Sequence, residues 1–349
     1  ECERSALVRL VVTPVPWMIS YVAGTVVIVL LAGLGGCSFW ETKRANEQSL
    51  RLAYAQKKPG WAESSPVETQ PVSEIQELSA QEAIARGDQL REAGNLAMAL
   101  TYYRHALRQD PSRLDVSYRI GRLFLLKRLP QEALSQFQRL LDKDPNAALA
   151  YEGMGEALQA LDRFPEAENA LRRALALNPK LWHAHALLGI LYAQQGRHNE
   201  AIREQQAAIR LNPHNPELYN NLGVSYLLAG RDAEAITMFQ EAIRKGATHN
   251  RIYNNFGVVL TRVGGYHQAL EMFRHGSNEA SAYNNLGVLL LHAGHAQAAI
   301  PCFERAIELR PSFYVKAHES LRRARAMLRE QLQNHGRERS PLSSPCPMP

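Results

Sequence analysis

The feature that most constrains this chain is a repeat of 34 residues. Six glycines and six alanines recur at this step: Gly87, Gly121, Gly155, Gly189, Gly223 and Gly257, and Ala99, Ala133, Ala167, Ala201, Ala235 and Ala269. Four prolines keep the same step, namely Pro111, Pro145, Pro179 and Pro213. A fixed period of this length is typical of a solenoid, in which each repeat packs only against its neighbours.

Each period contains the pattern of two amphipathic helices. In the period that begins at Pro216, core residues recur at helical spacing along a first helix, at Tyr219, Leu222, Gly223 and Tyr226. Gly230 marks the turn, and a second helix then carries Ala235, Phe239 and Ala242. Small residues let helices approach closely, and the aromatic residue fills the space between neighbouring repeats. In most repeats a proline ends the second helix.

This pattern resembles the tetratricopeptide repeat. The resemblance extends over residues 79–311 and implies an all-α, right-handed superhelix of seven helix-turn-helix repeats. Their starts are expected at about Ala80, Leu114, Ala148, Trp182, Pro216, Asn250 and Ala280.

A polar element is expected to close the solenoid after Pro311. Residues 312–334 predict an amphipathic helix. The residues along its mainly apolar side are Val315, His318, Leu321, Leu328 and Leu332. The arginines toward its other side are Arg322, Arg323, Arg325 and Arg329. Because the last apolar face of a solenoid needs a cover, we interpret this segment as a capping helix. Residues 335–349 have the composition of a disordered tail.

The period breaks once, in the sixth repeat. Gly257 and Gly287 lie 30 residues apart, as do Ala269 and Ala299, so four residues are missing. Four residues correspond to about one helical turn. Gly276 replaces the usual alanine, and the fifth and sixth repeats both lack their final proline. We expect a local distortion of the superhelix between repeats five and seven, which is either a docking feature or a tolerated deletion.

Three of the first helices contain the segment Tyr-Asn-Asn-apolar-Gly, at residues 219–223, 253–257 and 283–287. At about 100° per residue, the two middle positions point away from the core side of the helix. The asparagines are therefore expected outside the core, on the side that lines the concave groove of a tetratricopeptide stack: Asn220, Asn221, Asn254, Asn255, Asn284 and Asn285. An amide offers one acceptor and two donors, the complement of a peptide backbone unit.

The asparagines are similar to those of the tetratricopeptide domain of O-GlcNAc transferases. In that family, asparagine at the sixth repeat position forms a ladder that holds an extended peptide by its main chain. The resemblance implies the same role for Asn221, Asn255 and Asn285. Repeats one to four lack the match, since their sixth positions hold Ala85, Arg119, Gly153 and Leu187. The alternative is that these amides only solvate an exposed helix face or bond along it.

The beginning of the chain predicts an export signal. Residues 17–36 form an uncharged apolar run that follows Arg4 and Arg9 and leads into Cys37. A basic start, an apolar stretch and a small residue before a cleavage point are typical of a secretory signal. The ending Leu-Gly-Gly-Cys resembles the bacterial lipobox, which implies that residues 1–36 are removed and that Cys37 carries a lipid. The alternative is an uncleaved transmembrane helix over residues 17–36, since about 20 apolar residues can cross a bilayer.

The residue after the lipobox carries the sorting information. Ser38 stands where lipoproteins retained in the inner membrane have aspartate. The lipoprotein resemblance therefore implies an outer-membrane anchor facing the periplasm, whereas the transmembrane alternative implies the inner membrane. Residues 37–78 are rich in Glu, Gln, Ser and Pro, and we interpret them as a flexible tether.

Charge, cysteine content and motifs narrow the function classes. The net charge of +6 over 349 residues is mild, and no nucleic-acid-binding pattern accompanies it, so no nucleic-acid partner is predicted. The four cysteines, Cys2, Cys37, Cys302 and Cys346, are too scattered for a metal knuckle or a disulfide framework, and a bond between the last two is left open. Phosphate-loop, zinc-protease, serine-hydrolase and dithiol motifs are absent, so we predict neither a cofactor nor an enzyme.

Two function classes follow. The first is a binding module that holds peptide segments of envelope proteins. A lipobox with a tetratricopeptide stack resembles tight-adherence (Flp) pilus assembly lipoproteins and type IV pilus pilotins, which implies a pilus or secretion machine, with a secretin as a candidate partner. It resembles less specifically the lipoproteins of exopolysaccharide export and of cell-wall hydrolase control. The second class is an enzyme or enzyme subunit, which turnover by the purified chain would favour.

Overall fold

The computed structural model describes residue 75 and residues 77–310, 315–334 and 346. These residues form fifteen helices and no strand, which confirms the all-α fold. Fourteen helices make seven pairs: α1 (Ala80–Glu92) with α2 (Leu96–Gln109), α3 (Leu114–Leu126) with α4 (Pro130–Lys143), α5 (Ala148–Ala160) with α6 (Phe164–Leu177), α7 (Trp182–Gln194) with α8 (His198–Leu211), α9 (Pro216–Leu228) with α10 (Asp232–Arg244), α11 (Asn250–Arg262) with α12 (Tyr266–Gly276), and α13 (Glu279–His292) with α14 (Ala296–Glu308). The last helix is α15 (Val315–Asn334).

The periodic glycine of each first helix makes room for one side chain of the second helix. A Cβ atom added to Gly257 would lie 2.5 Å from the ring of Phe273, so only glycine fits there. The same pairing recurs in the other repeats, where the glycine faces Tyr103, Phe137, Leu171, Gln205, Phe239 or Phe303. The periodic alanines are fully buried between the helices. The 34-residue repeat of the sequence is thus the repeat of one packing contact.

The stack begins with a capped helix at Ser79. The Ser79 side chain accepts a hydrogen bond from the backbone N–H of Glu82, and the Glu82 carboxylate accepts one from the backbone N–H of Ser79. This capping box satisfies N–H groups that the first helical turn leaves without partners. Each helix pair packs together, and second helices contact the first helix of the next repeat. From α3 onward, successive first helices also contact one another.

The sixth repeat is shortened in its second helix. Helix α12 has 11 residues, whereas the other helices of the pairs have 13 or 14. Its last residue, Gly276, lies against the start of α11, where an added Cβ atom would come within 2.6 Å of the Asn254 side chain. Helix α12 thus approaches α11 closely at Gly276, where a larger residue would have to displace the Asn254 side chain.

The apolar core is most extensive in the C-terminal half. One large cluster of buried residues extends from Ile202 to Cys346, beside a small one of Ala242, Ala247 and Ile252, whereas three separate clusters account for most of the earlier repeats. The fourth repeat carries Gln205 at the position where most repeats have an aromatic ring. Gln205 is fully buried; its Nε2 donates to the carbonyl of Ala186 at 3.0 Å, and its Oε1 has no partner among the described residues. The polar side chain interrupts the core between the two halves.

The C-terminal end of the stack is covered by α15 and fastened by a disulfide. Helix α15 packs against α14, and buried Ala317, Leu321 and Ala324 join the core there. Cys302 of α14 is bonded to Cys346, with their Cα atoms 5.6 Å apart. The bond that the sequence left open is therefore part of this structure.

The predicted signal segment 1–36, Cys37 and most of the tether lie outside the described residues, as does most of the tail. Within the part of the chain that the structure describes, none of the helices has the length and apolar character needed to cross a bilayer.

Candidate functional site

The six asparagines lie on one face of α9, α11 and α13, which we name the amide face. The expectation that all six lie outside the core is wrong for three of them, since Asn220, Asn254 and Asn255 are only 2%, 8% and 6% exposed. The reason is that Asn220 and Asn255 lie in the seam where α9 contacts α11, and that Asn254 lies against Gly276 at the end of α12. Asn221, Asn284 and Asn285 are partly exposed.

Part of the amide face is tied together by its own hydrogen bonds. The Asn255 Nδ2 group donates to Asn220 Oδ1 across the boundary of repeats five and six, at 3.0 Å. Asn220 Nδ2 in turn donates to Asn221 Oδ1 at 3.2 Å. Asn255 and Asn220 thus serve the contact between repeats, whereas the donor group of Asn221 bonds to no other described residue.

Two acceptor atoms on this face have no partner. Asn254 Nδ2 donates weakly to the carbonyl of Gly276 at 3.5 Å, while its Oδ1 is buried without a hydrogen bond among the described residues. Asn284 Oδ1 is likewise buried without a hydrogen bond among the described residues. Buried polar atoms in folded proteins nearly always find a partner, which is either a protein group or an ordered water.

Valines lie one helical turn beyond the sixth-position asparagines. Val224, Val258 and Val288 each follow an asparagine by three residues and are partly buried against the C-terminal core. Side chains three residues apart share one side of a helix. The exposed strip of α9, α11 and α13 therefore combines amides with aliphatic groups.

The equivalent face of α1, α3 and α5 is charged, and we name it the charged face. Arg119 donates to both oxygens of Asp88, at 2.8 and 2.9 Å, and Tyr103 donates to the same carboxylate at 2.7 Å. Burial, and then the hydrogen bond to Asp88, raise the pKa of Tyr103 to about 12. Arg122 is paired with Glu156 of the next repeat. Most charges of this face are thus used within the protein, while the Nε atom of Arg119 is buried without a partner among the described residues.

The charged pattern extends to the boundary with the fourth repeat. Glu152 of α5 is 4% exposed, and its carboxylate lies 3.2 Å from Nδ1 of His183 in α7. The neighbouring His185 instead contacts Glu204 at 2.7 Å, so the two histidines point to different partners. No cluster of three or more metal-ligating side chains exists within the described residues.

Comparison with family models identifies the family of these repeats. The model of the C-terminal domain of cilia and flagella-associated protein 70, a tetratricopeptide-repeat domain, matches residues 45–283. The chain belongs to this tetratricopeptide-repeat family. A general tetratricopeptide-repeat model matches residues 280–313, which contain the seventh repeat. The expected resemblance to tetratricopeptide repeats is confirmed, whereas the lipoprotein and pilus assignments stay predictions.

Solved tetratricopeptide-repeat structures are similar to this chain. A chain of the APC/C hetero-tetramer Cut9–Hcn1 is 20% identical, with a TM-score of 0.51 over 73% of this chain and 53% of that one. A Thermus thermophilus protein is 25% identical, with a TM-score of 0.48 over 52% of this chain and 99% of its own. A Parabacteroides merdae protein is 18% identical, with a TM-score of 0.49 over 70% and 98%. The first of these likenesses supports the tetratricopeptide fold. No curated protein matches the sequence significantly.

Sequence reasoning found the asparagines but missed their aliphatic neighbours. The ninth position of each repeat indicates them, because it changes from charged to aliphatic residues along the chain. In chain order this position holds Asp88, Arg122, Glu156, Ile190, Val224, Val258 and Val288. The change from charged to aliphatic residues falls at the fourth repeat, where the tetratricopeptide stack also changes its core. The seam hydrogen bond of Asn255 had no such signal, because it depends on how two repeats meet.

Proposed function

We propose that the amide face is a groove that holds an extended peptide segment of a partner protein. The observation that carries the proposal is that the amides of Asn221 and Asn285, each an acceptor and a donor group, are partly exposed on this face. A peptide main chain supplies both an N–H donor and a C=O acceptor per residue, and so satisfies both kinds of atom.

Within this proposal the asparagines differ in role. Asn220 and Asn255 hold repeats five and six together, and they shape the groove rather than bind. Asn221 and Asn285 are partly exposed and bond the partner's main chain. Asn254 lies against Gly276 of α12, and the Oδ1 atom of Asn284 is buried, so neither is assigned a contact with the partner. Of the three asparagines that the sequence predicts to bind the peptide, Asn221 and Asn285 keep that role and Asn255 has a structural one.

The test begins by capturing the partner. A photo-crosslinking amino acid at Val224 is expected to trap a protein in cells, and mass spectrometry of the adduct then identifies the bound segment. The segment is synthesised, and its affinity is compared for wild type and for the double variant Asn221→Ala, Asn285→Ala. Two hydrogen bonds at about 0.5–1.5 kcal/mol each predict a loss of about fivefold to 150-fold.

The matched control replaces two exposed asparagines of the second helices, Asn169→Ala and Asn199→Ala. It is expected to bind the segment as wild type does. Equal affinity of the groove variant and the control would reject the amide groove. Thermal unfolding of both variants shows whether any loss of affinity results from a loss of folding.

We also propose that the chain acts in the periplasm, anchored to the outer membrane by a lipid on Cys37. Its support is the lipobox-like segment, together with the Cys302–Cys346 disulfide, since disulfides persist in oxidising compartments such as the periplasm. Cys37→Ala is expected to leave an unprocessed precursor without lipid. An intact N-terminal segment in membrane-bound wild-type protein, detected by mass spectrometry, would favour the transmembrane alternative.

Within this proposal the scaffold serves the assembly of a pilus or secretion machine. The support is the combination of the lipobox-like segment with the tetratricopeptide stack. The crosslinking experiment at Val224 separates the candidates. Capture of a pilus or secretin component supports the assembly role, whereas capture of an export or cell-wall hydrolase component supports the alternative.

A further inference from the structure

An apolar pocket opens between the C-terminal ends of three first helices. Its volume is about 280 Å³, and its apolar lining includes Leu227, Leu228, Val258, Leu289 and Leu290. An apolar cavity of about 150 Å³ is large enough for benzene. The pocket therefore has room for the side chain of leucine, isoleucine or phenylalanine.

The pocket continues the amide face. Leu228 lies seven residues after Asn221, Val258 lies three after Asn255, and Leu289 lies four after Asn285. Residues separated by three, four or seven positions share one side of a helix. A segment bound to the asparagines would therefore reach the pocket within about two helical turns, which is roughly 11 Å.

Two of the five polar residues that border the pocket, Thr261 and Arg262, are paired within the chain. The Thr261 hydroxyl donates to the carbonyl of Gly257 at 2.8 Å. The Arg262 guanidinium donates to the carbonyl of Leu227 at 2.8 Å and forms an ion pair with Asp232. Tyr266, His292 and His295 also line the pocket, whereas its leucine and valine wall offers no hydrogen-bond partner. A charged side chain held against that wall would lose its water without compensation, so the wall matches an apolar occupant.

Resting on the peptide-binding role of the amide face, we propose that this pocket takes one large aliphatic or phenylalanine side chain of the bound segment. The pocket selects the partner, while the amides hold its main chain without regard to sequence. Burying such a side chain stabilises a complex enough to change affinity about tenfold to a hundredfold. Segments with alanine or a charged residue at that position are expected to bind weaker by that factor.

The experiment selects peptides from a phage-displayed random library on the immobilised full chain. The selected peptides are expected to share a leucine, isoleucine, methionine or phenylalanine at one position. Their affinities are then measured for the pocket-filling variant Leu228→Phe and for the control Leu126→Phe. Leu126 occupies the same repeat position in repeat two, and it is exposed there. Thermal unfolding checks that both variants remain folded.

Weaker binding by about tenfold or more for Leu228→Phe, with unchanged binding for Leu126→Phe, supports the pocket. Peptides that bind Leu228→Phe as well as wild type, yet lose affinity for the Asn221→Ala, Asn285→Ala variant, overturn the pocket and leave the amide groove in place. The reverse result supports the pocket and overturns the amide ladder. Failure to select any peptide, or peptides that bind both variants as they bind wild type, overturns the pocket and the peptide groove together.

Discussion

The two halves of this solenoid use the same helix face in opposite ways. In repeats one to three the face carries charges that bond to one another across repeat boundaries, as Asp88 does with Arg119 and Arg122 with Glu156. In repeats five to seven the face carries amides and valines, and two of its buried acceptors have no partner among the described residues. The charged face uses its side chains for contacts between repeats, with the Nε atom of Arg119 left without a partner among the described residues, whereas the amide face keeps Asn221 and Asn285 partly exposed.

The apolar cores of the two halves also differ. Three separate apolar clusters support most of repeats one to four, and one large cluster supports most of the rest up to the disulfide. Contacts between repeats in a solenoid are local, so a change in one half is felt mainly by its neighbours. The comparison can therefore be tested one half at a time.

The largest expected effect is loss of the Cys302–Cys346 disulfide. The bond closes a loop between residues 44 positions apart, and such bonds contribute about 2–4 kcal/mol. Cys346→Ser is expected to lower the free energy of unfolding of the C-terminal half by that amount. Hydrogen-exchange mass spectrometry should show faster exchange in α13 to α15 and unchanged exchange in α1 to α4.

Addition of a reductant to the wild type is the control, and it should reproduce the Cys346→Ser result. If exchange quickens equally in α1 to α4, the two halves unfold as one unit. The division of the core into separate blocks would then be wrong.

The second effect comes from the seam asparagine. Asn255→Ala removes the donor to Asn220 Oδ1 and leaves that acceptor buried. An unsatisfied buried acceptor costs about 1–3 kcal/mol, so chemical denaturation should show a loss of that size. Arg119→Ala changes the same repeat position in the charged half, where the ion pair is partly exposed, and should cost less.

Equal losses for Asn255→Ala and Arg119→Ala would contradict the comparison, because the two faces would then depend equally on their internal bonds. A loss smaller than about 0.5 kcal/mol for Asn255→Ala would return Asn255 to the set of binding rungs that the sequence predicts.

The sequence predicted the fold well because its signals are local. Each repeat has a glycine that contacts one side chain of its own second helix, as Gly257 contacts Phe273, and these residues recur at fixed positions in the sequence. The face of the asparagines followed from helical geometry, but their burial did not. Asn255 is buried by Asn220 of another repeat, and Asn254 by Gly276 of a shortened helix. Such contacts depend on the angle between repeats, which no local pattern encodes.

The third prediction concerns the polar residue that interrupts the core. Gln205→Leu removes the buried Oε1 that has no partner and gives repeat four the residue type of Leu171 in repeat three. The fold is expected to gain about 1–2 kcal/mol, which thermal unfolding would detect as a higher midpoint. The reverse change, Leu171→Gln, is the matched control and should lower the midpoint. A lower midpoint for Gln205→Leu would mean that the bond to Ala186 outweighs the orphan acceptor.

The smallest effect is the coupling between Asp88 and Arg119. The pair is bidentate, but its side chains are 27% and 36% exposed, and exposed pairs contribute about 0.2–1 kcal/mol. A double-mutant cycle of Asp88→Asn and Arg119→Met should give a coupling energy in that range, and salt should reduce it because mobile ions screen exposed charges. The Asn220–Asn255 pair, measured by the same cycle with alanine, is neutral and buried, so its coupling should not depend on salt. A salt-independent coupling for Asp88 and Arg119 would place that pair in a buried seam like that of the asparagines. The contrast between a charged pair open to solvent and a buried pair of asparagines would then fail.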